Sequence, residues 1–295
     1  MSTASPPIQA PTAGGSAIGR ILNNPKWLIT ILITSILLAA NFLADFRTGP
    51  ELLAATLGTA VVTEMGFSAW IRGGLYSVQS AYISGVSMTI LTKPQQGLLW
   101  PYVLGAAVSI ASKYVFTWRG RHIWNPTNFG ISVMLLIAPG SVSVLSSQFG
   151  NGNATLMVIW VVGALVASRA RILHVTFAYL AAFLVLAYLR TMITGNAYTT
   201  EIAPITGPMY QLFLFFMITD PPTTVRSKKG RIFVAVLIAV VESAIRLTNE
   251  FPLPGTQMLL TAPPIFALAI VGPIAKIIDL ELAHKEKQRK EAIAA

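Results

Sequence analysis

The chain has 295 residues, 54% hydrophobic and only 11% charged, with a mean hydropathy of +0.65 and a formal charge of +10 at pH 7. A soluble domain carries about a quarter charged residues, so an ordinary soluble domain is excluded. Excess positive charge in a soluble chain would suggest nucleic acid. Here the bases sit in short connections between apolar runs, and nucleic acid is excluded as a partner. With no cysteine, disulfides, thiolate metal sites and cysteine-held iron–sulfur clusters are excluded as well.

Residues 1–24 are rich in Pro, Ala, Ser and Gly and read as a disordered cytoplasmic N-terminus. Ten apolar segments follow, at 27–44, 52–71, 78–91, 98–116, 129–147, 154–169, 173–193, 209–219, 231–247 and 257–278. The first is long for a signal-peptide core and suits an uncleaved span. Lysine and arginine in the connections set the orientation. With the N-terminus cytoplasmic, seventeen of the 21 bases fall inside, leaving only Arg47, Lys93, Arg190 and Arg246 opposite. Both termini are therefore expected in the cytoplasm, and the cluster Arg226, Lys228, Lys229, Arg231 serves as a cytoplasmic stop signal. Residues 279–295 read as a charged tail forming a solvated cytoplasmic helix, with some attraction to anionic lipid.

The third and eighth segments are short, reaching about 21 and 16 Å at the helical rise against a hydrocarbon core about 30 Å thick. They end alike, on Thr92-Lys93-Pro94 and Thr219-Asp220-Pro221, and Lys93 and Asp220 lie 127 residues apart. The same offset carries Trp27, the start of the first segment, to residue 154, the start of the sixth. The expected fold is an all-α integral membrane protein of about ten spans. It divides into a first five-helix repeat over 25–148 and an inverted second one over 149–278, each with a short half-helix. Interrupted segments at matching places in two halves point to a central site.

Asp220 is the leading candidate there, as an ionisable group at the end of a half-helix. The competing account is a helix stop whose carboxylate accepts turn amides. Glu64 and Glu242 are further ion-pathway candidates. Glu64 is unpaired within its own helix, whereas Glu242 has Arg246 four residues on, at ion-pair spacing. In RHIWNPTNFG (121–130), Asn125 before Pro126 is a helix N-cap. Arg119, Arg121, His122, Trp118 and Trp124 form a basic, aromatic entrance suited to an anionic head group, a flavin phosphate or a partner subunit; interfacial anchoring explains them nearly as well. The three histidines are scattered without metal-ligand spacing. No phosphate loop, dinucleotide fingerprint or nucleophile elbow is present, so the chain carries no self-contained catalytic motif.

Three stretches, ISGVSMTILTKP (83–94), GRHIWNPTNFG (120–130) and FFMITDPPTT…KGR (215–231), together resemble the RnfD/NqrB family: the RnfD proteins of the Rnf electron-transport complex and the NqrB proteins of the sodium-pumping NADH:quinone oxidoreductase. The similarity runs from about residue 50 to 278, in a compact form similar to members encoded in enediyne biosynthetic clusters. It implies an inner-membrane subunit that carries electrons through flavin, is coupled to ion movement in a complex with partner subunits, and shares its architecture with urea channels. Family members hold FMN covalently through the threonine of an S-G-A-T motif, which residues 139–158 lack. Gly152-Asn153-Ala154-Thr155 is the nearest string, and the site is not carried over to Thr155. The expectation is FMN or riboflavin held non-covalently, with Asp220, Thr219, Asn125, Asn128, Arg121 and Thr223 as candidate cofactor-binding residues. The rival reading is a small-solute channel or transporter that kept the scaffold without the cofactor. A lipid- or quinone-interacting scaffold is a third.

Overall fold

The computed structural model describes residues 25–43, 49–74, 78–94, 98–144 and 153–294. The expected disordered N-terminus, Arg47 and the glycine-rich string up to Gly152 lie outside these residues. The first half builds α1 (Pro25–Leu43), α2 (Pro50–Arg72), α3 (Gln79–Leu91), α4 (Trp100–Val115) and α5 (Pro126–Ile137). The second builds α6 (Asn153–Arg169), α7 (Leu173–Thr194), a short connecting α8 (Tyr198–Ile202) and α9 (Pro208–Leu212). These are followed by α10 (Lys228–Leu247) and α11 (Pro263–Ala294). Proline or a capping side chain opens several of them. Pro50, Pro126 and Pro208 occupy the first helical turn, where a missing N–H costs nothing. Ser227 caps α10 by accepting from the Gly230 amide at 3.0 Å.

In the first half α1 packs with α3, α2 with α4 and α4 with α5; in the second α6 packs with α9, α7 with α10 and α10 with α11. Contacts between α1 and α6 join the halves. Gly130 permits a close backbone approach of α5 to α4, since a Cβ there would lie 2.8 Å from the Gly105 carbonyl oxygen and 2.9 Å from Ser109 Cβ. Helices α2 and α7 are long and apolar enough to cross a bilayer. Their outward faces carry Val62, Met65, Trp70, Val185, Met192 and Ile193, all exposed. Such a belt suits hydrocarbon and would be a liability in water.

Both expected half-helices are short. Helix α3 has 13 residues and runs into a strand, β1 (Thr92–Pro94). Helix α9 passes into a π-helical turn, Phe213–Met217, closed by the Ile218 amide on the Phe213 carbonyl at 3.1 Å. Three expectations need correction. The fifth segment is not helical to residue 147: α5 stops at Ile137 before Pro139-Gly140, and β4 (Val142–Val144) then pairs antiparallel with β1. A second small pairing joins β2 (Thr117–Trp118) to β3 (Arg121–His122), so the chain is helical without being purely α. Finally, no break separates the tenth segment from the tail. Helix α11 runs continuously to Ala294, and Asp279, expected in an exposed tail, is buried because Arg226 reaches over it at 3.3 Å.

Candidate functional site

A cavity of about 370 Å³ lies where the half-helices end. It is bounded by Ile90 and Leu91 of α3, by Phe215 to Met217, Thr219 and Asp220 beyond α9, and by Asn125 to Thr127 at the start of α5. Ile29 and Ile33 of α1 and Val166 of α6 complete its wall. Each of the three stretches that carried the family resemblance contributes to this surface. The π turn shapes one side. It places two consecutive phenylalanines on the cavity, and Phe215 is seated because Gly163 has no side chain: a Cβ there would lie 2.4 Å from the Phe215 ring. Trp160 packs edge-on to the same ring at 5.0 Å.

The polar groups gather around Asp220, which is half-buried. Its Oδ2 accepts from the Thr223 hydroxyl at 2.7 Å, and its backbone carbonyl accepts from the amides of Thr223 and Thr224 at 3.2 and 3.0 Å. The Asn125 side chain stands beside the carboxylate. Its Oδ1 also caps α5 by accepting from the Asn128 amide at 3.0 Å. The N-cap reading of Asn125 and the site reading therefore hold together. Thr219 is buried and turns its hydroxyl back onto the Phe215 carbonyl.

Asn128 is fully buried but lies off the cavity. Its Nδ2 donates to the Ile265 carbonyl at 3.0 Å, tying α5 to α11, while its Oδ1 has no partner. Arg121 is exposed at β3 and does not line the cavity. Thr223 acts through Asp220 and borders a second cavity of only about 30 Å³, room for about one water.

Two contributors were not assigned to the site from the sequence. Lys113, taken as a cytoplasmic base, is buried and lines the cavity. Its Nζ donates to Glu64 and, at 3.1 Å, to Ser80 at the start of α3. Lys276, taken likewise, is buried, with its Nζ on the Thr224 carbonyl at 2.9 Å and its charge beside Asp220. His122 also lines the cavity. Burial, followed by the nearby charges of Lys113, Lys276 and Arg72, lowers its pKa to about 4. It is therefore a neutral imidazole at pH 7. The signal for the two lysines was there to be read: a lysine inside an apolar segment is costly and needs a partner.

Glu64 and Glu242 do not border the cavity. Glu64 accepts from Lys113 and from the Tyr114 hydroxyl, the latter at 2.7 Å. Glu242 is wholly buried and accepts from Tyr179, Tyr210 and Arg246. The spacing-based ion pair with Arg246 is present, at 3.0 Å.

An apolar cavity between interrupted helices, ringed by a few convergent polar groups, is the geometry of a small-molecule site in a helical membrane protein. The RnfD/NqrB resemblance is borne out by comparison: residues 141–256 match the NQR2, RnfD, RnfE family. That segment contains the third of the resembling stretches, and the first two lie ahead of it. The chain is similar to the RnfD protein of the ion-translocating oxidoreductase complex of Shewanella sediminis (strain HAW-EB3), 28% identical over 121 residues, or 38% of this chain and 33% of that protein. It is similar to the same protein of Aliivibrio salmonicida (strain LFI1238), 28% identical over 116 residues, or 37% and 33%. The chain thus spans about a third of the length of these curated relatives.

Proposed function

We propose that this protein is a membrane subunit of Rnf/Nqr-type electron transport, that its central cavity takes a non-covalently held flavin (FMN or riboflavin), and that it works with partner subunits in ion translocation. The observation that carries this reading is the convergence of all three family-like stretches on one cavity. The residues suit the ring of a flavin. Phe215, Phe216, Ile90 and Leu91 offer apolar faces, and Asn125, Thr127, Ser84 and Asp220 offer donors and acceptors at the edge. They suit a phosphate less well, because the one lysine on the wall, Lys113, is held by Glu64 and no arginine lines the cavity among the described residues. When bound, the flavin would supply the electron-transfer chemistry, and the chain would supply orientation and exclusion of water.

The visible absorption spectrum of the purified protein, before and after acid denaturation, tests this. Flavin absorbance that leaves the protein on denaturation is the expected result. In-gel fluorescence surviving denaturation would show a covalent site instead. A colourless preparation from cells grown with riboflavin would favour the small-solute channel or transporter. That second reading is supported by three serines on the wall, Ser80, Ser84 and Ser87, which suit a small polar solute.

The finer architecture belongs to the same proposal: ten spans in two inverted halves, both termini in the cytoplasm and the bilayer the inner membrane. Two of the seventeen bases behind the orientation, Lys113 and Lys276, are buried. The remaining fifteen still outvote the four opposite. Reporter fusions after Lys229 should read cytoplasmic and those in 199–206 external; reversal at either place overturns the orientation.

A further inference from the structure

Helix α11 has 32 residues and is about 48 Å long at 1.5 Å per residue, well beyond a hydrocarbon core of about 30 Å. Its last third, from Leu282, therefore stands clear of the bilayer. Acids and bases interleave along it. Asp279 and Glu286 are held by Arg226 at 3.3 and 3.6 Å, Glu281 by Arg119 at 3.0 Å, and Glu291 by Lys287 at 3.7 Å. Every acid from 279 onward is thus engaged. Among the described residues Lys285, Arg289 and Lys290 form no ion pair, and all three are exposed. Leu282, Lys285, Arg289 and Ile293 follow one another at spacings of three and four, which puts them on one helix stripe. The two apolar members are 54% and 76% exposed. Arg121 of β3 and Lys228 and Lys229 in the first turn of α10 are also exposed and without an ion pair among the described residues.

A helix that ends in water has no need of leucine and isoleucine on a stripe whose bases lack counterions. We propose that this stripe is a docking surface for an acidic protein domain on the cytoplasmic side, which covers Leu282 and Ile293 and neutralises Lys285 and Arg289 on the stripe and Lys290 beside it. Charge complementarity selects the partner class. A membrane surface would engage the root of the helix, where attraction falls off within a Debye length, whereas Arg289 to Ile293 lie about 10–17 Å along the axis beyond Leu282. The inference rests on the proposed orientation, which the reporter fusions measure independently. An external tail would therefore be recognised as a failure of that reading and not of the surface.

The test places a photo-crosslinking residue at 282 or 293 of the full chain in its native membranes. The expected result is one and the same acidic protein captured from both positions, with at least a tenfold loss of yield in the triple variant Lys285→Glu, Arg289→Glu, Lys290→Glu. A second measurement keeps the outcome decisive. A spin label at 293, in discs of phosphatidylcholine alone and in discs with added phosphatidylglycerol, should keep the same mobility. Immobilisation by the anionic lipid would assign the stripe to the membrane and overturn the proposal. So would different products from the two positions, no protein product, or a product indifferent to the charge reversal.

Discussion

The two halves of the molecule share several helix pairings and bury their charges differently. In the first, the carboxylate is on the second helix and the cation on the fourth: Glu64 of α2 faces Lys113 of α4. In the second, the order is exchanged. Arg190 is on α7 and Glu242 on α10, where Arg190 donates to Ser243 at 2.9 Å and to Glu201 at 2.7 Å. The surroundings differ more than the charges. Lys113 opens onto the cavity, whereas Glu242 is enclosed by Tyr179 and Tyr210, with Phe183 against both rings at 6.3 and 5.8 Å. A buried ion pair is costly unless its remaining hydrogen-bonding capacity is used. The second half uses it on tyrosine hydroxyls and becomes a brace. The first sets its lysine on the cavity wall, where a ligand can feel the charge.

Glu242→Ala should have the largest effect. It leaves two tyrosine hydroxyls and Arg246 without their acceptor, and breaking a buried pair costs about 3–5 kcal/mol. A marked fall in the thermal midpoint in detergent is expected, while any flavin spectrum recorded below that midpoint stays unchanged. A midpoint equal to that of the parent would remove the brace from the account.

Glu64→Gln should cost less, on the order of 1–3 kcal/mol, because Lys113 keeps Ser80 and the cavity. Unlike Glu242→Ala, it should alter ligand affinity or the flavin spectrum, since the lysine charge beside the cavity loses its counterion. If the two variants affect stability alike and neither touches the ligand, the halves are not functionally distinct.

Asp220→Asn changes the cavity's own carboxylate and keeps its shape. Asparagine serves the turn as well as aspartate does, so the stability change should stay within about 1 kcal/mol. Ligand binding, electron transfer or transport should fall strongly. Glu291→Gln is the control, exposed and paired only with Lys287. A fully active Asp220→Asn protein would reduce Asp220 to a helix stop.

The half-helices and the place of Asp220 at the end of one of them were legible because proline and segment length speak directly to local backbone. So was the Glu242–Arg246 pair, whose partners share one helix. Lys113 was misread for the opposite reason: Glu64 lies 49 residues away, and no local pattern announces such a pairing. The strand pairing of β1 with β4 and the burial of Asp279 under Arg226 are likewise products of tertiary contact. Arg121 was included for its place in a motif and proves to face outward, since the two-residue strand β3 alternates exposed Arg121 with half-buried His122.

That alternation gives the smallest and most specific expectation. His122 stays neutral in the folded protein, with a pKa of about 4 set first by burial and then by Lys113, Lys276 and Arg72. In the unfolded chain it takes up a proton near pH 6.5. Between those values the unfolded state binds more protons, so the folded state loses stability as pH falls from about 6.5 to 4. The full shift would correspond to about 3 kcal/mol, and solvent screening of a half-buried ring brings it to roughly 1–2 kcal/mol. Carboxylates titrating in the lower part of this range contribute to both proteins, so the informative quantity is the difference between parent and His122→Gln. The variant should be flatter across the window, with the two curves parallel above pH 7. Because His122 stands beside Lys113 in the first half, the same difference measured in Glu64→Gln should grow, for an uncompensated lysine opposes a second positive charge more strongly. A difference that is identical with and without Glu64 would mean that the imidazole senses burial alone.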